Sequence, residues 1–229
     1  EWYKENFPGK GPLFGEASPS YTVFPHIPDV PQRMHGLLPR ARLIYLLRDP
    51  VQRVEARYLH DWSRGKQHGP LSQSLQNLEE SRYVSGARYA LQLEQYLAFY
   101  PMDQLLLVSH HQLLTQRQAT LNRVFEFLGV TPLGPGFWQE RILNKTREKR
   151  RLTKFGASLD GFLQKLPLRQ ISAALDHHSR RWLTYPFSEA LPLNPLELED
   201  RKRLEDFLRP DVQRLSQLTG LQFPEWSWV

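Results

Sequence analysis

The run Arg42-Leu43-Ile44-Tyr45-Leu46-Leu47, closed at once by Arg48-Asp49-Pro50, constrains the fold more than any other feature. An apolar stretch this short, stopped by a charged pair and a proline, reads as a buried strand of a parallel sheet. Asp49 suits an N-cap. Pro50 suits the first helical position, where proline has no N–H to forfeit and its φ is already set. A helix is therefore predicted from residue 50 to about 64. The pattern recurs in residues 104–109, QLLLVS, followed by helix from about 114 to 128 and a stop at Gly129. Between the two runs, Val84, Ala87, Leu91, Leu93, Tyr96, Leu97 and Tyr100 keep roughly helical spacing, which predicts one helix over 79–100 closed by Pro101. Strand–helix–helix–strand–helix order implies an α/β domain with a mainly parallel sheet.

The flanks are less regular. Pro8, Pro12, Pro19, Pro25, Pro28, Pro31 and Pro39 exclude a long helix from the first part of the chain. An extended segment with at most a short helical turn is expected there. Residues 159–181 and 197–219 look helical and are joined by the Pro-rich stretch LPLNPLE. No linker-like composition separates them from the α/β part, so residues 1–229 are expected to form a single domain.

Composition narrows the function classes. Without cysteine there is no disulfide framework, Cys-based zinc site or cysteine nucleophile, which fits a reducing compartment. No apolar run approaches the roughly 20 residues of a membrane helix, and the opening EWYKENFPGK is charged and aromatic, unlike a signal peptide. Cytoplasmic location is expected, with the lumen of the secretory pathway as the alternative if an upstream anchor is missing. A net charge of +6 calls for an anionic partner. Nucleic acid is not favoured, because no recognition module accompanies the charge.

Arg48 is the sharpest candidate residue. At the carboxyl end of a parallel strand a side chain faces the crevice where open α/β sheets bind ligands. A guanidinium there, beside a helix N-terminus, suits a phosphate. The competing interpretation is an arginine that merely pairs with Asp49 or a neighbouring carboxylate.

Residues 43–60, LIYLLRDPVQRVEARYLH, resemble the phosphate-binding strand–turn–helix of sulfotransferases that use 3′-phosphoadenosine 5′-phosphosulfate (PAPS). GEASPSY at 15–21 is similar to the Gly-Glu-Lys-Ser/Thr-Pro-x-Tyr segment of the glycan-type and bacterial members. Residues 86–114, LNRVFEFLGV at 121–130 and the C-terminal FLRPDVQRLSQLTGLQFPEW resemble further family blocks, in the family's order.

The resemblance implies a P-loop-type three-layer α/β fold, with helices flanking a central, mainly parallel sheet and a helical C-terminal part. It implies PAPS as sulfuryl donor, no metal, and a hydroxyl- or amine-bearing acceptor such as a glycan, lipid or small metabolite. Arg48 would hold the donor's 3′-phosphate, and Glu16 would take the acceptor's proton. Ala56 stands where the family has a phosphate-binding serine, and Ala17 where it has a lysine. Arg53 or Arg57 is a candidate to compensate for the missing hydroxyl, although Arg53 matches an arginine of structural character. Arg150 and Arg151, in the basic run 145–154, correspond to a donor-covering loop; a solvated basic surface is the simpler alternative.

The Gly-rich, Lys-containing loop that opens the family's donor site has no counterpart here. Gly9-Lys10-Gly11 reads as a surface turn, and the domain is expected to be incomplete at its N-terminus. A non-catalytic anion- or nucleotide-binding homologue is therefore the alternative to a transferase. The pairs His110-His111 and His177-His178 place adjacent rings on different faces and do not chelate by themselves. No serine has the surroundings of a hydrolase triad.

Overall fold

The computed structural model describes residues 13–132, 134, 150–153, 155–158, 185–190 and 196–229. The expected helix over 159–181, His177-His178, Gly9-Lys10-Gly11 and most of the basic run lie outside these residues.

Strands β1 (Leu43–Leu47) and β2 (Leu105–Ser109) pair in parallel, with Leu43 opposite Leu105 and Leu47 opposite Ser109. The crossover between them holds helix α2 (Pro50–Ser63), two single helical turns at Leu71–Ser74 and Arg82–Ser85, and helix α3 (Tyr89–Leu97). Helix α1 (Val30–Leu37) precedes β1. Helices α4 (His110–Thr115) and α5 (Arg117–Leu128) follow β2. A second sheet joins β3 (Arg150–Leu152) and β4 (Ser188–Ala190) in antiparallel register, and α6 (Leu198–Thr219) closes the fold. The mixed α/β architecture with a parallel sheet is as expected.

Local chemistry explains the well-formed elements. Asp49 caps α2, its Oδ1 accepting the Gln52 N–H at 2.9 Å, and Pro50 opens the helix. Val51, Val54 and Tyr58 recur at helical spacing as a buried stripe. Along α6, Leu204 and Leu208 enter one core cluster and Val212 and Leu215 a second, so this helix bolts the two together. Pro210 sits on its exposed side, where losing one N–H is tolerated. Gly129 and Gly220 end α5 and α6 in the left-handed region, each at φ 70°, a geometry without steric cost only for glycine.

Three expectations are corrected. The 79–100 segment is not one helix: it breaks at Gly86, where the backbone passes close to Thr22 and Arg53. A Cβ at Gly86 would lie 3.5 Å from both the Arg53 guanidinium and the Thr22 carbonyl. The new start at α3 is capped from a distance, because Asp211 of α6 accepts the N–H groups of Ala90 and Leu91, each at 3.0 Å. The proline-rich segment carries more than a turn: α1 has eight residues, with Pro31 in its first turn, where proline is harmless. Finally, β1 is buried on one face only. Leu47 is buried and Tyr45 packs against the core, but Ile44 and Leu46 are 44% and 43% exposed. Among the described residues, no helix is long and apolar enough to cross a membrane.

Candidate functional site

The parallel register builds the site. Because Leu47 pairs with Ser109, the next residues, Arg48 and His110, leave the sheet together at its carboxyl edge. Tyr89 pins the Arg48 backbone from behind: its hydroxyl accepts the Arg48 N–H at 3.1 Å and donates to the Arg48 carbonyl at 2.7 Å. The Arg48 side chain is half-buried, and its Nε donates to Gln52 Oε1 at 3.1 Å. Among the described residues its guanidinium bonds no carboxylate. The competing interpretation of Arg48 as half of an ion pair with Asp49 therefore finds no contact.

Asp49 is occupied otherwise. One carboxylate oxygen caps α2, and the other accepts the indole N–H of Trp228 at 2.9 Å. The first turn of α2 is thus already met by an anionic cap, which reduces what its dipole offers a ligand. Positive charge at this edge comes chiefly from the Arg48 side chain. Its field reaches two neighbours. Burial, then the charges of Arg48 and His111, lower the His110 pKa below its ordinary value. Burial raises the Glu55 carboxyl, against the opposing pull of its partner Arg201 at 3.6 Å; Asp49 raises it further and Arg48 lowers it. His110 is the site residue that sequence alone passes over. Only the parallel register sets it beside Arg48.

Glu16 lies on an exposed stretch, and its Oε1 accepts the hydroxyl of Tyr21 at 2.5 Å. The turn Pro19–Thr22, capped by Ser18, swings Tyr21 back to make this bond. The segment beyond is stapled to the helices. Tyr96 donates to the Tyr21 carbonyl at 2.9 Å, Arg53 to Thr22 Oγ1 at 3.2 Å, and Gln92 exchanges two bonds with the Phe24 backbone. Arg53 also lies over the Tyr89 ring. Its role is structural, and Arg57 is likewise engaged, with Asp61 at 3.3 Å. Ala56, which precedes Arg57 on α2, is half-buried.

Arg150 and Arg151 are not brought to Arg48. Arg150 is bound to Ser188 through Oγ at 2.7 Å and the carbonyl at 2.6 Å, and it covers the Tyr185 ring. Arg151 pairs with His68 and lies over Trp62. Trp62 belongs to the last turn of α2, whereas Arg48 precedes the first, a separation of about 20 Å along the axis at 1.5 Å per residue. Among the described residues, no group of His, Asp and Glu side chains is arranged to hold a metal ion.

Comparison with known proteins agrees with this architecture. The chain belongs to the sulfotransferase family, whose model matches residues 8–133, more than half of its length. It is 30% identical over 216 residues to the bifunctional heparan sulfate N-deacetylase/N-sulfotransferase 2 of Bos taurus, a match covering 86% of this chain and 21% of that protein. The corresponding Drosophila melanogaster enzyme is 30% identical over 117 residues, 45% of this chain and 11% of that one. The chain therefore spans about a fifth or less of these relatives. A sulfotransferase from Alicyclobacillus acidocaldarius superposes over 99% of this chain and 73% of its own, with a TM-score of 0.64 at 20% identity, so the fold is shared.

Proposed function

We propose that this chain transfers a sulfuryl group from PAPS to a hydroxyl or amine, with Arg48 on the donor's 3′-phosphate and Glu16 as the base. The observation that carries the reading is the Arg48 guanidinium. It is fastened through its backbone to Tyr89 at the open carboxyl edge of the sheet, yet among the described residues it commits only Nε, to a neutral amide. Its remaining donors match a phosphate's oxygens in pairs. Family membership supports the choice of sulfuryl over phosphoryl transfer.

In the reaction the acceptor oxygen or nitrogen bonds to the donor sulfur while the bond from sulfur to the 5′-phosphate oxygen breaks. The acceptor proton passes to the Glu16 carboxylate, and 3′-phosphoadenosine 5′-phosphate leaves with the electron pair. The Tyr21 hydroxyl donates to Glu16 Oε1 and so fixes the orientation of the carboxylate that would take that proton. The names of the heparan sulfate N-sulfotransferase relatives favour a glycan amine or hydroxyl as acceptor. Arg150 and Arg151 are left out of this reading, because Arg150 is bound to Ser188 and Arg151 to His68.

Replacing Arg48 with alanine tests the assignment. Calorimetry should show 3′-phosphoadenosine 5′-phosphate binding weakened by about 1.5–3 kcal/mol, the range for a hydrogen bond to a charged group. Adenosine 5′-phosphate, which lacks the 3′-phosphate, should be little affected; equal loss for both would refute the assignment. In Glu16→Gln, turnover should fall about 100-fold or more with nucleotide affinity unchanged, the usual scale for a lost general base. An unaltered rate removes Glu16 from that role. Ala56, which forfeits one donor to the phosphate, favours a second reading as a non-catalytic nucleotide-binding homologue. Nucleotide binding that depends on Arg48, without turnover on amine or hydroxyl glycans, would select it.

A further inference from the structure

Between the C-terminal half of α2 and the chain that follows it lies a cleft of about 310 Å³, which the proposed reaction does not use. Arg57, Lys66 and Arg82 line it, against a single carboxylate, Asp61. That carboxylate is spent internally. It is buried and paired with Arg57 Nε at 3.3 Å. Lys66 and Arg82 are both exposed and have no carboxylate partner among the described residues. The remaining polar lining is set for a ligand as well. Gln67 Nε2 donates to Ser74 Oγ at 3.2 Å, but the Ser81 hydroxyl, on a residue only 8% exposed, has no hydrogen-bond partner among the described residues. A buried hydroxyl in a native fold is normally paired. Here it stands unpaired in the wall of a cleft with surplus positive charge.

We infer that this cleft is an anion site of its own, which takes one carboxylate or sulfate group. Arg57, Lys66 and Arg82 supply the charge, and Ser81 donates its O–H. The volume is at the small end for ligand clefts, which begin at about 300 Å³; it suits a single oxyanion with a sugar-sized body. The site is separate from Arg48. Arg57 lies about 14 Å further along α2 at 1.5 Å per residue, and its guanidinium is held by Asp61, one turn further still from Arg48. It is nevertheless close to the segment that carries Glu16. Arg53, one turn before Arg57 on the same face, reaches Thr22, in the turn whose Tyr21 holds Glu16. The oxyanion is either free or carried on a saccharide that passes Glu16. The cleft recognises the same chemistry in both cases, and its existence does not depend on sulfuryl transfer.

The test uses the full chain, saturated with 3′-phosphoadenosine 5′-phosphate and held at constant ionic strength with sodium chloride. Sodium sulfate, sodium glucuronate and uncharged glucose are titrated separately, with backbone amide shifts recorded by NMR. Saturable shifts at Lys66, Gln67, Arg82 and Tyr83 are expected with either anion and not with glucose. Glucuronate binding tighter than sulfate identifies a saccharide-borne group; sulfate binding tighter identifies a free anion. The double variant Lys66→Glu/Arg82→Glu, altered only at exposed positions, should weaken binding by about tenfold or more, the scale of reversing charges at a contact. Ser81→Ala should weaken it severalfold with thermal stability retained. The inference is overturned by the absence of saturable shifts with both anions, by unchanged affinity in the double variant, or by displacement of the anion by the nucleotide. Arg48→Ala should leave these titrations unchanged, so failure of the donor assignment and failure of this site give different results.

Discussion

At the end of β1 the helix-capping side chain is a carboxylate held by an indole N–H. At the end of β2 it is a hydroxyl that donates a hydrogen bond to a carboxylate. Asp49 caps α2 and accepts from Trp228; Ser109 caps α4 at 3.4 Å and donates to Glu225 at 2.5 Å. The two junctions stand side by side, and the same C-terminal strap ties both. They differ in where the negative charge sits. At β1 it lies on the cap itself, immediately after Arg48; at β2 it is supplied from the strap. An anionic cap satisfies α2 without pairing with the adjacent guanidinium, because the second Asp49 oxygen is taken by Trp228. The strap therefore does more than cover apolar surface: it keeps Asp49 from turning to Arg48.

The strap itself is the place to break this arrangement with the largest effect. Trp226 is 2% exposed and stacks on Phe223 with ring centroids 4.1 Å apart. Trp226→Ala should cost about 3–5 kcal/mol in urea unfolding, as for other buried aromatics, and should weaken nucleotide binding at Arg48 along with it. Next, Asp49→Ala should cost about 2 kcal/mol and Ser109→Ala about 1 kcal/mol, because only the former removes a charged cap. Equal losses at the two positions would erase the distinction drawn between the junctions. The smallest effect separates them by pH. His110 follows Ser109 and has a lowered pKa, from burial first and then from the charges of Arg48 and His111. On acidification the unfolded chain takes up this proton first. Stability is therefore lost as pH falls from about 6.5 towards the lower folded value. His110→Gln should flatten that part of a stability profile recorded between about pH 8 and pH 5. A profile unchanged by the substitution would place His110 away from the charge of Arg48.

Much of this edge was legible in the residues themselves. Arg48-Asp49-Pro50 announces a strand end, a cap and a helix start because each of those roles is local, decided within a few residues by hydrogen bonding and a fixed φ. Gly129 announces a helix stop for the same reason. The break at Gly86 was not legible. Residues 82–97 carry helical spacing on both sides of it, and the interruption depends on Thr22, Arg53 and Asp211, all distant in sequence. Helix α1 was missed for the converse reason: prolines exclude helix interiors but not first turns, and their count does not say which position each occupies.

The candidate site divides in the same way. The amino-acid order alone determined that a guanidinium follows a strand and that the first turns of the next helix carry Ala56, a residue without a hydroxyl. Those are statements about single residues and their neighbours. Tertiary structure alone decided what surrounds that guanidinium: His110 beside it through sheet register, Tyr89 behind its backbone, and Trp228 holding Asp49. It also decided that Arg150 binds Ser188 and that Arg151 lies over Trp62 in the last turn of α2. Side-chain partners are chosen by packing of the whole chain, since the free energy of a hydrogen bond or ion pair depends on burial and on competing partners that no local pattern encodes.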